Sequence, residues 1–225
     1  MLFVLPDLLT RVEDGREMPL LLWRFDPPCI AIASGPLGGG IGERAWAINA
    51  TVPISYNRDD PDIHLGELAT GLGLRGPGLG FLTGVDVRRR VVERDGGAVV
   101  VATVGIGQPE WASAPAPVTP PEPVGTINIF VYLPERLGDA ALVNAVSTVA
   151  EAKVQALVEL GYAASGTATD ATCVVCPAGG PVQRYGGPRS TWGARLARAV
   201  HAAVLAGDVR GVDEVRYLRA GVGRT

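Results

Sequence analysis

The sequence predicts an α+β fold: a mixed β-sheet whose strands come mainly from the first half, with long helices of the second half packed on it. Two observations lead there. Short apolar and β-branched runs cut by glycine and proline turns dominate the chain as far as Ile106. The two clearest 3.6-residue periodicities, Asp139–Leu160 and Thr191–Leu205, both come later.

Taken in order, Leu20–Phe25 and Cys29–Ser34 read as two short strands separated by the turn signal Asp26-Pro27-Pro28. The stretch from Gly35 to Gly42 is glycine-rich, and Arg44–Val52 resumes a strand pattern. Ile63–Leu74 has helical spacing and stops at Gly76-Pro77-Gly78. Val85–Glu93 and Ala98–Ile106 flank Asp95-Gly96-Gly97, a hairpin signature. Residues 108–124 hold six prolines and read as an extended loop within a single domain spanning 1–225, rather than as a linker between two.

The second half has cleaner signals. Ile127–Leu133 is a β-branched strand, and Ala168–Cys176 another. Between them, Leu142, Val146, Val149, Lys153, Leu157 and Leu160 follow one stripe of the helix Asp139–Leu160, and Gly161 stands where a C-terminal glycine cap belongs. The second amphipathic helix ends near Gly207.

Bulk properties narrow the function classes. The chain has 225 residues, 47% of them hydrophobic and 19% charged, as a folded globular enzyme does. A net charge of −3 argues against a nucleic-acid groove or an anionic membrane surface as partner. The apolar run Leu20–Trp23 stops at Arg24, well short of the ~20 residues that cross a bilayer. The opening Met1–Leu5 has no basic region before it, so a cytoplasmic location is the expectation. A lightly charged, apolar chain of this kind is also compatible with a homo-oligomer.

Cys29, Cys173 and Cys176 do not form a disulfide framework. The CxxC spacing of Cys173 and Cys176 lies in a strand-like run, where residues three apart face opposite ways, so both thiols are read as small buried hydrophobes. Only two histidines exist, His64 and His201, without paired spacing, so no catalytic metal and no other cofactor is expected. No G-x-S-x-G elbow and no helix-opening GxGxxG occur.

Four ordered motifs stand out instead. The first is Gly38-Gly39-Gly40-Ile41-Gly42, followed by Asn49 and Val52. The second is Thr103-Val104-Gly105-Ile106-Gly107-Gln108-Pro109. The third is Gly125-Thr126-Ile127-Asn128-Ile129, running on to Asn144 and Glu151-Ala152-Lys153. The fourth is Gly166-Thr167-Ala168-Thr169-Asp170-Ala171, with Tyr185-Gly186-Gly187-Pro188 and Gly193 downstream. In order and spacing they resemble the adenosylcobinamide amidohydrolase family over about residues 29–206. The sequence departs from the family at Val104, at Ser34-Gly35-Pro36-Leu37 and in the length of the proline loop. The resemblance implies removal of aminopropanol from adenosylcobinamide by amide hydrolysis, leaving adenosylcobyric acid in corrinoid salvage. It thereby implies a corrinoid as small-molecule partner.

Such chemistry needs an activated nucleophile, donors for the oxyanion and a proton for the departing amine. Asp170 is the candidate general base or proton shuttle; alternatively it is an aspartate bonded to its own turn. Lys153, on an otherwise apolar stripe, is a candidate oxyanion or amide donor, or a lysine reaching to solvent. Glu151 is carried as a further catalytic candidate, although two positions from Lys153 on a helix it faces elsewhere.

Thr126 and Thr167 each follow a glycine. Chain cleavage before either would free a threonine whose α-amine serves as base; otherwise Thr126 and Asn128 donate to substrate amides. Gly38, Gly39, Gly40, Gly105 and Gly107 are expected to bring backbone close to the substrate, or simply to turn the chain. Asn49, Thr167 and Thr169 complete the expected substrate-binding set. A corrinoid-binding protein without catalysis, and a threonine hydrolase of another amide, remain as alternatives.

Overall fold

The computed structural model describes residues 5–115 and 125–208, and most of the expected proline-rich loop lies outside them. Eight strands form one mixed sheet: β1 (Asp7–Glu13), β2 (Arg16–Ala33), β3 (Gly40–Thr51), β4 (Gly78–Thr83), β5 (Val91–Asp95), β6 (Ala98–Val104), β7 (Ile127–Tyr132) and β8 (Ala171–Pro177). Helices α1 (Pro61–Gly71), α2 (Asp139–Glu159) and α3 (Thr191–Gly207) pack on it. The strand order is β4-β3-β2-β8-β7-β6-β5, with β1 added to β2. Two pairs are parallel, β3 with β4 and β7 with β8, and each is bridged by a helix, as parallel strands require. The α+β class follows directly.

Four local expectations need correction. Residues 20–34 form no hairpin: β2 is one strand of eighteen residues, and Asp26-Pro27-Pro28 marks a register shift against β3 between Arg24 and Cys29. Prolines cannot donate to a ladder, and a bulge accommodates them while bending the strand. A strand that the turn signals did not announce, β1, joins β2 through Asp14 and Gly15 with φ of 49° and 73°. Two consecutive positive φ values are the geometry of a type I′ hairpin turn. The other unannounced strand, β4, has a sequence weakened by two glycines, and Gly80 leaves room for Leu65 of α1 to pack on it. Finally, Val87–Arg89 is a short 3₁₀ turn capped by Asp86, whose carboxylate accepts from the Arg88 amide, so the strand begins only at Val91.

The bend in β2 lets the sheet fold over on itself, so that its two halves enclose a core of their own. Trp23 of β2 stacks on Phe130 of β7, ring centroids 4.2 Å apart, with Phe25, Phe81, Val101, Tyr132 and Cys173 in the same cluster. Outside this layer, α2 and α3 cover β6, β7 and β8, burying Leu142, Val149, Leu157, Leu196, Val200 and Val204. On the opposite flank α1 covers β2 and β3 through Leu65 and Ala69. By length and composition α2 suffices to cross a membrane, but its apolar stripe lies in the core shared with α3. Gly161, at φ 82°, ends it as expected.

Candidate active site

Strand alternation explains where the polar chemistry gathers. Ala47, Phe81, Val101 and Phe130 point into the enclosed core. Two positions along from each, on the same face, come Asn49, Thr83, Thr103 and Asn128. These are the last inward positions of β4 and β6, the first of β7 and the last but one of β3, where Thr51 follows. All are buried, at 4, 1, 0 and 1% exposure, as are Thr51, Thr126 and Thr167 nearby. The enclosed core therefore changes from aromatic to polar at one end.

Burial obliges these groups to satisfy one another. Asn49 Nδ2 donates to Thr103 Oγ1 at 3.1 Å, and Asn128 Nδ2 donates to Asn49 Oδ1 at 3.1 Å. Asn128 Nδ2 also donates to the Leu82 carbonyl at 2.9 Å, bonding β7 to the edge of β4. Thr126 Oγ1 lies within donating distance of Asn128 Oδ1, 3.2 Å, and of the Thr169 carbonyl, 3.0 Å. Both amide hydrogens of Asn128 are thus engaged within the protein.

Beside this layer stands Asp170. Its Oδ1 accepts from the Ile127 amide at 2.9 Å and from Thr167 Oγ1 at 2.5 Å. Its Oδ2 accepts from the Thr167 amide at 3.1 Å and from Lys153 Nζ. Four donors fill the roughly four acceptor positions of a carboxylate. This capture of Thr167 also holds residues 168–170 in a turn, so β8 starts at Ala171 and not at Ala168. The Lys153 and Asp170 side chains keep 14% and 13% exposure, so the pair borders solvent without standing in it. Gly166 is glycine for a steric reason, since a Cβ would run into both Asp170 Oδ2 and Lys153 Nζ.

A second loop is stitched to the first. The Glu110 amide donates to the Gly166 carbonyl and the Ser165 amide to the Glu110 carbonyl, each at 2.9 Å, while the Ala112 amide donates to Ser165 Oγ at 2.7 Å. This places Trp111, 47% exposed, on the rim of the Asp170 cluster. Neither Trp111 nor Ser165 carried a pattern that singled it out in the sequence. Gly105 donates its amide to the Thr126 carbonyl at 3.0 Å, and a side chain on Gly125 would collide with the backbone of Gly105 and Gly107.

Residues from all four motifs thus meet at one end of the sheet, and comparison with known proteins gives that grouping a family. A family model described as adenosylcobinamide amidohydrolase matches residues 5–211. The chain belongs to the adenosylcobinamide amidohydrolase family. The adenosylcobinamide amidohydrolase of Methanosarcina mazei is 32% identical over 191 residues, covering 80% of this chain and 91% of the relative. The protein of the same name from Halobacterium salinarum is 32% identical over 188 residues, 78% of each chain.

Within this family member not every quoted residue joins the cluster. The triple glycine follows the β2–β3 connection and opens β3 at Gly40, with φ of 64° at Gly38 and 82° at Gly40. Ser34, just past β2, donates its amide to the Thr172 carbonyl and accepts from the Thr172 amide at its hydroxyl, both at 3.0 Å, whereas Gly38 lies against Gly78 at the start of β4. Gly39 sits 2.9 Å, measured from an added Cβ, from the Gly35 carbonyl, so turning the chain explains it. Thr169 contributes its carbonyl and leaves its side chain exposed.

Glu151 lies apart from Asp170, in a concavity of about 230 Å³ between α2 and α3 shared with Gln155, Arg198 and His201. Tyr185-Gly186-Gly187-Pro188 is a packing motif: Gly186 lies against Ala141 and Ala145, and Gly193 against the Gly187 carbonyl.

His64 bonds Tyr56 through Nδ1 and Glu13 through Nε2, both at 3.1 Å, in the wall of a second concavity of about 410 Å³. His201 Nε2 lies 2.7 Å from Glu159. Among the described residues no three His, Cys, Asp or Glu side chains group to hold a metal. Cys173 and Cys176 face different cores, as the strand geometry requires. Burial pushes the Cys29 thiol up to about 11 and raises the Cys173 and Cys176 thiols too, the opposite of what a reactive cysteine needs.

Proposed function

We propose that this protein hydrolyses the amide joining aminopropanol to the corrin side chain of adenosylcobinamide and releases adenosylcobyric acid, returning a scavenged corrinoid to biosynthesis. Family membership across residues 5–211 carries the reading. The local chemistry supports it. Lys153 has three hydrogens, of which Asp170 takes one, leaving two to offer a developing oxyanion. Asp170 fixes that ammonium and the Gly166–Thr167 backbone together. Trp111 gives the rim a flat apolar face against which a planar group can stack.

Glycine-lined backbone around Gly105, Gly125 and Gly166 suits a wide neutral substrate fringed with amides, which a strongly basic pocket would not. The test is incubation with adenosylcobinamide followed by chromatography. Adenosylcobyric acid and free aminopropanol are the expected products. Tight binding with no product would make the protein a corrinoid carrier, and neither binding nor product would remove the assignment.

A further inference from the structure

We propose that Thr167 Oγ1 is the nucleophile of this hydrolysis, attacking the amide to form an acyl-enzyme, with Asp170 as its base and Lys153 as partner of that base. The inference rests on the functional reading above and names the attacking group within it. Asp170 has no open acceptor position for a catalytic water: its four donors are two backbone amides, the Lys153 ammonium and the Thr167 hydroxyl. Backbone amides do not give up their protons, and the ammonium is the cation that balances the carboxylate. The Thr167 hydroxyl, 2.5 Å from Oδ1, is the donor left for Asp170 to deprotonate.

Thr126 lacks this arrangement, because its hydroxyl faces an amide oxygen and a carbonyl, both poor bases. The same geometry removes the need for chain cleavage before Thr167, since a side-chain carboxylate stands where a freed α-amine would otherwise serve. Thr167 is buried at 9% exposure beside the Lys153–Asp170 pair, whose side chains keep 14% and 13%, so the attack needs the substrate carbonyl to enter from that solvent-bordering side.

The steps balance with water as sole co-reactant. Oγ1 attacks the amide carbon while its proton passes to Asp170. The tetrahedral oxyanion meets a Lys153 hydrogen. The C–N bond breaks, Asp170 returns the proton to the departing nitrogen, and aminopropanol leaves as the amine. Esterified Thr167 no longer donates to Asp170 Oδ1, so water takes that vacated position, attacks the ester and gives its proton to Asp170. The C–O bond breaks, that proton returns to Oγ1, and the corrinoid acid is released.

The experiment compares wild type with Thr167→Ala, Thr167→Val and Thr167→Ser, all checked for folding by circular dichroism and melting. Each is assayed for adenosylcobinamide hydrolysis and for exchange of isotopically labelled aminopropanol into unreacted substrate. An acyl-enzyme supports exchange; direct attack by water does not, and nor does a purely structural threonine. We expect Ala and Val to lose turnover by a factor on the order of a thousand or more, and Ser to remain within about tenfold of wild type. Exchange should occur in wild type and Ser only. Turnover by Ala or Val near the wild-type rate overturns the proposal, as does hydrolysis by wild type without exchange at any amine concentration, or a Ser variant as inactive as Ala. Absence of hydrolysis by wild type itself would instead overturn the substrate assignment.

Discussion

Asn128 and Asn49 meet amide to amide, Nδ2 to Oδ1 at 3.1 Å, although β2 and β8 lie between their strands in the sheet. The contact exists because the sheet folds over, and together with the Asn128 bond to the Leu82 carbonyl it fastens the start of β7 to the edge strand β4. A buried donor or acceptor left unsatisfied costs about 1–3 kcal/mol. Asn128→Ala strands Asn49 Oδ1 and the Leu82 carbonyl together, so a loss of roughly 2–5 kcal/mol is expected, read by urea denaturation. Asn128→Asp should be no better, because it places an acceptor against two acceptors.

Lys153 and Asp170 should fail differently when removed singly and together. Breaking a fully buried pair costs about 3–5 kcal/mol, and the residual exposure of this one lowers the expectation to roughly 1–3 kcal/mol for Lys153→Met. Asp170→Asn presents an amide group to four donors, so it should lose stability as well as turnover. In the double variant no uncompensated charge remains. A double-mutant cycle in urea should therefore show the two losses to be less than additive.

Trp111 offers a test of the rim that leaves the cluster intact. Its exposed ring should contribute about 0.5–1.5 kcal/mol by stacking on a planar part of the substrate. Trp111→Ala is then expected to raise KM for adenosylcobinamide ~3–10-fold with kcat nearly unchanged, and Trp111→Phe to fall between. An unchanged KM would remove Trp111 from the binding surface.

The hairpin of β5 and β6 is tied to α3 by a bidentate bond from Arg198 to Asp95, at 2.6 and 2.8 Å. That hydrogen bonding holds the Asp95 carboxyl below the usual carboxylate range. A carboxyl lowered in the folded state stabilises the fold above its unfolded value, and the benefit is lost as pH falls through the folded one. Because the Arg198 side chain is 60% exposed, solvent screening keeps the effect small. Arg198→Ala should melt no more than about 4 °C below wild type at neutral pH, with the gap closing as acid protonates Asp95.

The helices were legible because their periodicity ran long enough to outweigh local noise. Asp139–Glu159 and Thr191–Gly207 end within two residues of where the apolar stripe and the terminal glycines place them. By contrast β1 stayed hidden. As an edge strand it exposes Leu8 and Val12 and carries little alternation, leaving the Asp14-Gly15 pair as its chief signal. The proline cluster inside β2 imitates a turn locally, and only pairing with strands distant in sequence keeps the chain extended.

At the site, Lys153 was conspicuous as the one cation on an apolar stripe, and Asp170 is the partner that explains it. Thr103 gives no sign of a site role in the sequence, since one threonine in a run of valines looks like ordinary strand composition. What no linear pattern carries is the fold-over that brings Thr103 to Asn49 and Glu110 to Gly166.

Gly166 has a consequence for how this chain can change over time. Because any side chain there must shift the Asp170 carboxylate and the Lys153 ammonium, a substitution at this position acts directly on that pair. Thr169, three residues on, offers Thr126 its carbonyl and leaves its side chain exposed, so a substitution there meets no such pair. Steep and shallow mutational tolerance therefore alternate within a single short loop, and the chemistry constrains individual atoms there more than the segment as a whole.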